Sequence, residues 1–254
     1  MNKRALVRRP GPRLVEGLLT HLERVPVDVE KARHQWLGYA AALQAEGWEL
    51  YEVDPADDCP DAVFVEDTAV VYGDLAVITR PGADQRKPET TGTEQALLGL
   101  GYRVERIEQP GTLDGGDVLK HGGTVWVGLG GRTNQAGLNQ LRAHLEPLGA
   151  TVVAVPVSKV LHLKSAVTAL PDGTVIGYDP LVDDPAAFPA YLSVPEEPGA
   201  HVVLLDDSTV LMSTSAPRTR ELLESRGLRV VAVDISEYEK LEGCVTCLSI
   251  RLRG

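Results

Sequence analysis

Four short segments of the chain carry side chains whose types could do chemistry. They are FVEDT (64–68), TLDGGD (112–117), VLHLKS (160–165) and GCVTCLS (243–249). A cysteine thiolate is a nucleophile, a histidine moves protons near neutral pH, and carboxylates orient a histidine or bind a cation. The set therefore indicates nucleophilic catalysis at a site built from several parts of the chain, provided that the fold brings these segments together.

The candidate nucleophile is Cys247, and the candidate proton carrier is His162. An isolated cysteine in a strand is more often an inert side chain, and this is the interpretation that we prefer for Cys244 and for Cys59 in its acidic loop. His162 lies between two leucines, which predicts that it points to one face of a strand. The alternative is a structural histidine that is hydrogen-bonded in the core.

Carboxylates occur in two of the segments. Asp114 and Asp117 flank two glycines, which permit a sharp turn and the close approach of another group, although a solvated turn is the alternative. Glu66 and Asp67 follow the apolar run AVFV. Neighbouring acids at a strand end are usually exposed, but if they are buried together they form a cation site.

Other kinds of site are not expected. There is no HExxH motif, and the Cys244-x-x-Cys247 pair has no second pair, so we predict no metal site. The segment GLGGRTN (128–134) lacks the lysine of a phosphate loop and the glycine spacing of a dinucleotide site. The other histidines are predicted on loops or helix surfaces, in solvent: His21, His34, His121, His144 and His201.

Composition sets the class of protein and of partner. The 254 residues are 43% hydrophobic and 24% charged, which is typical of a globular chain, and no apolar run is long enough to span a bilayer. The net charge of −11 disfavours nucleic acid and suits a cationic small molecule. The basic N-terminus has no apolar run behind it, and there are only three cysteines, so we expect a reducing, cytoplasmic location.

A repeated unit must position the four segments. Each copy is predicted as a strand, a tight turn, a second strand, a break, a helix and a closing strand. In the order strand, strand, helix and closing strand, the first copy spans 68–72, 75–80, 93–101 and 102–107. The second copy spans 118–120, 124–129, 136–149 and 151–155. The third copy spans 166–170, 174–178 and a helix over 184–192, and the fourth spans 202–205, 209–213, 220–227 and 229–233.

The fifth copy is divided between the two ends of the chain. Its strands are predicted over 247–253, 4–10 and 48–53, and its helix over 32–47. Five similar units, the last shared by both ends, predict a closed ring that leaves no free sheet edge. The helix has residues that repeat at helical spacing and indicate a core face: Trp36, Tyr39, Ala40 and Leu43.

We expect this ring to be a single domain over residues 1–254, because no linker or low-complexity stretch interrupts it. The longest piece without an assigned element, residues 14–31, is long enough to be a mobile lid. In a closed ring the starts of the repeats point to a common axis. The four segments lie at such starts and should therefore converge.

Together these segments resemble the dimethylarginine dimethylaminohydrolases of the guanidine-modifying, or pentein, superfamily, which also holds arginine deiminases and amidinotransferases. The resemblance covers the whole chain, in the order LVEGL (14–18), FVED, ITRPGA (78–83), TLDGGD, GRTN, VLHLKS, EYEKLEG (237–243) and TCLS. It implies an α/β propeller, a five-fold pseudosymmetric ring of ββαβ units with the fifth unit shared by the N- and C-termini. It also implies hydrolysis of Nω-methylated arginines to citrulline and methylamine or dimethylamine.

The resemblance implies roles for individual residues. Cys247 stands at the position of the nucleophile, His162 at that of the general acid and base, and Asp114 at that of the acid that orients the histidine. The positions that match substrate contacts are Leu18, Asp61, Glu66, Asp67, Arg86, Arg132 and Leu241. Further candidates are Phe64, Asp117 and Ser165.

The mechanism implied needs no cofactor. Acids such as Glu66 and Asp117 would hold the cation, and the bound cation would lower the pKa of Cys247. Arg132 would pair with the α-carboxylate of the substrate. The family often has aspartate after the position of Leu241, where this chain has Glu242, so we expect that loop contact to differ.

Three alternatives remain beside this function. An arginine deiminase-type or other substituted-guanidine hydrolase would use the same residues, but deiminases carry an extra helical domain for which 254 residues leave no room. Amidinotransferase chains are also longer. A non-catalytic guanidine-binding protein would not need a cysteine, a histidine and an orienting acid together. A homodimer is a family-level expectation.

Overall fold

Residues 3–253, which are the residues described by the structure, a computed structural model, form five sheets of three strands each. In each sheet two strands form an antiparallel pair, and the middle strand also pairs in parallel with a third strand. Because this order recurs in all five sheets, they are copies of one unit. The prediction of one domain over 1–254 includes residues 1, 2 and 254, which lie outside the described residues.

The strands are short and follow the repeat closely. In chain order they are β1 (Lys3–Val7), β2 (Glu49–Glu52), β3 (Ala69–Tyr72), β4 (Leu75–Ile78), β5 (Arg103–Arg106), β6 (Val118–His121), β7 (Thr124–Leu129), β8 (Thr151–Pro156), β9 (Val167–Ala169), β10 (Val175–Gly177), β11 (Tyr191–Ser193), β12 (Val202–Leu204), β13 (Thr209–Ser213), β14 (Arg229–Val233) and β15 (Ile250–Arg253). The α-helices are α1 (Val29–Ala45), α2 (Thr90–Gly99), α3 (Gln135–Leu145), α4 (Pro217–Ser225) and α5 (Ser236–Glu239).

The two ends of the chain meet in one sheet. Strand β1 pairs antiparallel with β15, where Leu6 lies opposite Ile250, and in parallel with β2, where Leu6 lies opposite Tyr51. This sheet has the same order as the other four, so it is the divided fifth unit. The fold is the predicted five-fold pseudosymmetric α/β propeller, and both the repeat and its closure by the termini are confirmed.

The predicted helix over 184–192 is wrong. The third unit has a short 3-10 turn at Pro185–Ala187, and strand β11 (Tyr191–Ser193) occupies the end of the predicted helix. The reason is proline, which lacks the backbone N–H that a helix interior needs: Pro185 and Pro189 both fall within the segment.

Two candidate site residues lie outside the strands in which the sequence places them. Strand β15 begins at Ile250, so Cys247 lies in the turn before it rather than in the strand. His162 has an extended backbone but precedes the 3-10 turn Leu163–Ser165 and belongs to no strand. Both residues therefore lie on loops that a rigid strand immediately follows, which is a common location for functional side chains.

Helix α1 fixes the turn that carries Cys247. It begins at the Asp28 cap, whose carboxylate accepts the Lys31 N–H at 3.0 Å, and the predicted core face is buried. Tyr39 in that face donates its hydroxyl hydrogen to the carbonyl of Val245 at 2.9 Å and lies 2.7 Å from the Ser249 hydroxyl. The helix thus holds residues on both sides of Cys247.

The first strands of the five sheets surround a central channel. The segments singled out from the sequence are loops that lead into four of these strands, β3, β6, β9 and β15, and so they meet at one end of the channel. None of the helices between residues 3 and 253 is both long and apolar enough to cross a lipid bilayer.

Candidate active site

A narrow cleft gathers most of the predicted site. Its walls include Cys247 and His162, together with Leu18, Asp61, Phe64, Asp67, Arg86, Arg132, Leu161, Leu241, Glu242 and Gly243. These residues come from loops far apart in the chain, and the ring closure brings them together. Of the remaining predicted residues, Asp114 lies directly behind His162, whereas Glu66, Asp117 and Ser165 do not line the cleft.

The imidazole of His162 is held by Asp114. Its Nε2 donates to the Asp114 Oδ2 at 2.9 Å, and both side chains are buried. The other oxygen of Asp114 accepts the backbone N–H of Gly82 at 2.8 Å. The short side chain of Asp114 can therefore hydrogen-bond to His162, because the loop that carries Asp114 lies close to the histidine.

The two glycines of the TLDGGD segment permit this closeness. A Cβ on Gly116 would lie 2.6 Å from the Asp67 Oδ1 and 2.7 Å from the His162 Nδ1, and a Cβ on Gly115 would lie 2.0 Å from the carbonyl oxygen of Glu66. No side chain fits in either place. The Gly116 N–H also donates to the Asp67 Oδ1 at 2.8 Å.

These contacts shift the pKa of both partners. Burial alone would lower the pKa of His162, but the charge of Asp67 and the hydrogen bond with Asp114 raise it from 6.5 to about 9. Burial alone would raise the pKa of Asp114, but the hydrogen bond from His162 lowers it to about 2. At neutral pH the site therefore holds an imidazolium beside a carboxylate, and the stability that this pairing contributes is complete below pH 6.5 and is lost as the pH rises through about 9.

We expect Asp114→Asn to lower the pKa of His162, because the variant loses a negative charge and a charged hydrogen bond. The alkaline limb of the kcat/KM profile, which reports loss of the imidazolium, should then move to lower pH, and kcat at neutral pH should fall by about 10²-fold. Profiles of kcat/KM against pH for the wild type and the variant measure this. An alkaline limb that stays in place would contradict the pairing.

Asp67 is part of a second buried network. Its Oδ2 accepts from the Arg86 Nη1 at 2.6 Å, and the Arg86 Nη2 donates to the Glu89 Oε2 at 2.8 Å. All three side chains are buried, and Arg86 also donates to the carbonyls of Asp61 and Phe64, both at 3.3 Å. Arg86 thus lines the cleft, but its donors are engaged within the protein.

Glu66 lines the central channel and not the cleft. Its Oε1 accepts from the Lys164 Nζ at 2.6 Å and from the Arg251 Nη2 at 2.8 Å, and these three side chains line the channel. Its backbone N–H donates to the carbonyl of Cys247 at 3.1 Å. Burial would raise the pKa of Glu66, but the charges of Lys164 and Arg251 lower it.

Asp117 supports the loop of His162 instead of facing the cleft. Its Oδ1 accepts the Leu163 N–H at 2.9 Å, and its Oδ2 accepts the Thr133 hydroxyl at 2.6 Å. Burial raises its pKa to about 6. Ser165 is also turned away from the cleft: its N–H donates to the carbonyl of His162 at 3.0 Å, and its own carbonyl accepts from the His201 side chain.

The guanidinium of Arg132 lines the cleft and has one N–H donor that makes no hydrogen bond among the described residues. Among the described residues its buried Nη1 has no hydrogen-bond partner, and this atom lies 3.7 Å from the Asp114 Oδ2. Its Nη2 reaches the Thr20 hydroxyl at 3.5 Å. Beside it the buried Asp61 carboxylate accepts the backbone N–H of Leu18, at 3.1 Å to Oδ2.

Glu242 anchors the lid segment, residues 14–31, whose closure over the site stays a prediction. Its Oε1 accepts the N–H groups of Thr20 at 3.0 Å and Leu22 at 2.7 Å, and also that of His21. Glu242 has a φ of 59°, in the left-handed region that side chains rarely adopt. Glu242 also lines the cleft, so it couples the lid segment to the site.

We expect Glu242→Gln to raise KM by about 10-fold, with a smaller change in kcat, because the three backbone N–H groups of the lid segment then face a neutral amide oxygen instead of a charged carboxylate. Steady-state kinetics and thermal melting of the same samples measure this. The matched control is Glu23→Gln, an exposed glutamate of the same segment. Equal KM values in the two variants would show that Glu242 does not act through the lid.

Cys247 lines the cleft, and its side chain is buried. Its Sγ lies 3.3 Å from the Sγ of Cys244, which is also buried, and both thiols are free. The interaction with Cys244, burial and the charge of Glu66 raise the pKa of Cys247 well above its ordinary value of 9.0. Without a cationic ligand, Cys247 therefore holds its proton at neutral pH.

Several supporting residues escaped the sequence analysis. Glu89 lies three residues after Arg86, a spacing that indicates an ion pair within a helical turn. Lys164 stands inside the VLHLKS segment, but its partner Glu66 is distant in sequence. Thr133 and Arg251 carried no signal, since their contacts depend on how neighbouring units pack.

One group of described side chains could ligate a metal ion. Ligand atoms of Asp67, Asp114 and His162 lie within 4.8 Å of one another. Arg86 and Gly116 already occupy the Asp67 oxygens, and Gly82 and His162 occupy those of Asp114. The carboxylate oxygens of this group are thus already engaged within the protein, and the absence of a metal cofactor stays a prediction.

Comparison with known proteins identifies relatives over the whole chain. No model of a protein family matches. A relative from Streptomyces coelicolor named N(G),N(G)-dimethylarginine dimethylaminohydrolase is 66% identical over 252 residues, which cover 99% of this chain and 98% of the relative.

Two solved structures have the same fold. The dimethylarginine dimethylaminohydrolase from Pseudomonas aeruginosa, a cysteine-to-serine mutant complexed with citrulline, has a TM-score of 0.92 and 36% identity. A histidine-to-glycine dimethylarginine dimethylaminohydrolase in an adduct with S-methyl-L-thiocitrulline also has a TM-score of 0.92, with 35% identity. In both cases the match covers 99% of this chain and 100% of the other.

A five-unit α/β propeller with a cysteine, a histidine and carboxylates in its central cleft defines the class as guanidine-modifying propeller hydrolases. Within that class, the chain belongs to the dimethylarginine dimethylaminohydrolase family. The family resemblance found in the sequence is therefore confirmed.

Proposed function

We propose that this protein hydrolyses Nω-methylated arginines to citrulline and dimethylamine or methylamine through a covalent intermediate on Cys247. The observation that carries the proposal is the cleft itself, in which Cys247 and His162 share a buried space with the carboxylates of Asp61 and Asp67. A thiol, an acid and base, and fixed negative charge are the groups that attack on a guanidinium carbon requires. The relative from Streptomyces coelicolor bears the name of this activity.

The substrate guanidinium would be held by buried carboxylates. Among the described residues, the Oε2 of Glu66 is buried without a hydrogen-bond partner, and Glu66 is close enough to Cys247 to raise its pKa. A guanidinium presents several N–H donors in one plane, which suits a carboxylate oxygen with free lone pairs. Asp67 adds negative charge on the same side.

The amino-acid end of the substrate would lie toward the lid segment. The free Nη1 donor of Arg132 suits the α-carboxylate, because a guanidinium binds a carboxylate through directed N–H groups. Leu18 and Leu241 line the same part of the cleft and are proposed to offer backbone contacts to the α-ammonium group. Arg86 contributes charge and positions Asp67, since its donors are already engaged.

The first half of the reaction forms a carbon–sulfur bond. The bound cation lowers the pKa of Cys247 by charge–charge attraction, and the thiol proton passes to solvent. The thiolate attacks the guanidinium carbon to give a tetrahedral adduct. The imidazolium of His162 then donates its proton to the methylated nitrogen, the carbon–nitrogen bond breaks, dimethylamine leaves, and a thiouronium remains on Cys247.

The second half returns the enzyme to its starting state. His162, now neutral, removes a proton from water, and the resulting hydroxide attacks the thiouronium carbon. The tetrahedral adduct then loses its hydroxyl proton as the carbon–sulfur bond breaks, citrulline leaves, and the Cys247 thiolate takes up a proton to restore the resting thiol. Asp114 would hold the imidazole in one orientation throughout, and Asp117 would hold the loop that carries it.

The proposal extends to the setting of the enzyme. We propose a single catalytic domain, because the cleft draws on several units of one ring. We propose a cytoplasmic location, because the three cysteines are free, as is usual in a reducing compartment. The net charge of −11 supports a cationic small-molecule substrate and argues against nucleic acid and anionic membranes as partners. A homodimer remains a prediction of the family resemblance.

The test of this function compares asymmetric dimethylarginine, monomethylarginine and arginine as substrates of the purified protein. We expect citrulline from both methylated substrates, with an equal amount of dimethylamine or methylamine, and little from arginine. Faster citrulline formation from arginine, with release of ammonia, would favour a deiminase. Tight binding of dimethylarginine without any product would favour a guanidine-binding protein.

A further inference from the structure

The mechanism uses one of two adjacent buried thiols and leaves the other without a role. Cys244 does not line the cleft, yet its Sγ lies 3.3 Å from the Sγ of the nucleophile, Cys247. We propose that Cys244 is a redox partner of Cys247: a peroxide converts the two thiols to a disulfide that removes the nucleophile, and a thiol reductant restores it.

The backbone already brings the two cysteines into range for a disulfide. The Cys247 N–H donates to the carbonyl of Cys244 at 3.1 Å, which closes a turn in which the two Cα atoms lie within about 7 Å. Disulfides span Cα separations of about 4.4–6.8 Å. Joining the sulfurs requires an approach of only about 1.3 Å from their present 3.3 Å.

The two thiols differ in their access to the cleft and in their neighbours, so they would have different roles in the oxidation. Cys247 lines the cleft, so a small oxidant can reach it by the route that the substrate uses. Cys244 lies behind it, with its Sγ 3.2 Å from the Thr246 hydroxyl and 4.0 Å from the carbonyl of Lys164. The hydrogen bond from Cys247 also lowers the pKa of Cys244, which favours the thiolate that must attack.

The chemistry balances as a two-electron oxidation. Cys247 releases its thiol proton and its sulfur attacks a peroxide oxygen, the O–O bond breaks, and Cys247 becomes a sulfenic acid while the leaving hydroxide takes up the proton as water. The Cys244 thiolate then attacks the Cys247 sulfur, the S–S bond forms, the S–O bond breaks, and the departing hydroxide takes up a proton as water. Two thiols and one peroxide thus give one disulfide and two waters.

The inference relies on the proposed function only for its effect on activity, and one tryptic peptide tests the disulfide independently. Cleavage after Lys240 and Arg251 releases residues 241–251, which hold both cysteines, whereas Cys59 falls in another peptide. After hydrogen peroxide, alkylation and digestion of the full-length protein, we expect this peptide to be unalkylated and lighter by two hydrogens. A peptide with an alkylated Cys244 and an oxygenated Cys247 would overturn the proposal.

Activity provides the second readout. We expect the wild type and the Cys59→Ser control to lose activity with peroxide and to regain it with dithiothreitol. Measured against its own activity before peroxide, Cys244→Ser should lose activity irreversibly, since the sulfenic acid on Cys247 has no thiol to join and oxidises further. Full recovery of this variant would refute a role for Cys244. A linked peptide in fully active wild type would instead refute Cys247 as the nucleophile.

Discussion

Cys247→Ser is expected to lower citrulline formation from dimethylarginine by at least about 10⁴-fold, because a hydroxyl cannot replace the thiolate as attacking group and leaving group. Binding of dimethylarginine should survive, since the carboxylates and Arg132 do not depend on the sulfur. Turnover assays and calorimetric binding to the same preparation measure the two effects separately.

The control for this change is Cys59→Ser. Cys59 is also a buried free cysteine, but it lies outside the cleft, and we expect its replacement to leave kcat and KM close to those of the wild type. If Cys247→Ser kept substantial turnover, the covalent mechanism would be refuted. If it lost binding as well, the cleft would owe its affinity to the thiol.

His162→Gln is the second change with a large expected effect. We expect kcat to fall by about 10²–10⁴-fold, because the leaving amine then departs without a proton donor and the water attacks without a base. The residual activity of the variant should be nearly independent of pH between pH 6 and pH 9, whereas the wild type loses activity as the pH rises through the His162 pKa of about 9. Full pH profiles of both proteins measure this.

The matched control for that change is His121→Gln. His121 lies on the far side of the ring, where its Nε2 contacts the carbonyl of Pro171 at 3.2 Å. It should behave as the wild type does. An alkaline limb that persists in His162→Gln would mean that another group supplies the proton, and Asp114 could then no longer be assigned to orient the general acid.

Local pattern was enough to predict most of the fold. The hairpins of the first, second and fourth units follow from alternating apolar residues around tight turns, and they occur where expected. Ring closure was also predictable, because the elements at the two ends of the chain together make up a fifth copy of the repeated unit. The prediction of a helix in the third unit was wrong because that segment contains prolines. A repeat pattern does not reveal that one unit has turns in place of its helix.

The side chains that could do chemistry were predictable by type, but their partners were not. Asp114 was expected to orient His162, and the structure places their atoms 2.9 Å apart. Asp117 was expected to help hold the cation, yet neighbours from other loops take both of its oxygens. Such pairing depends on which loops meet across the ring, and this information is absent from local sequence patterns.

The lid segment shows the same limit. The sequence showed the length of this segment but not its hydrogen bonds to Glu242. Glu242 is more than 200 residues away, and it accepts from backbone N–H groups, which every residue type except proline has. The substitution of glutamate for the aspartate often found in the family drew attention to this position. Its contact with the lid became visible only in the folded chain.

The most direct test of the central claim is to trap the covalent intermediate. The protein is mixed with excess dimethylarginine, quenched in acid during turnover, digested and analysed by mass spectrometry. We expect the peptide of residues 241–251 to gain the mass of the substrate minus dimethylamine, with the modification on Cys247 and none on Cys244. An unmodified Cys247 in enzyme that is producing citrulline, with Cys247→Ser equally active, would contradict the mechanism.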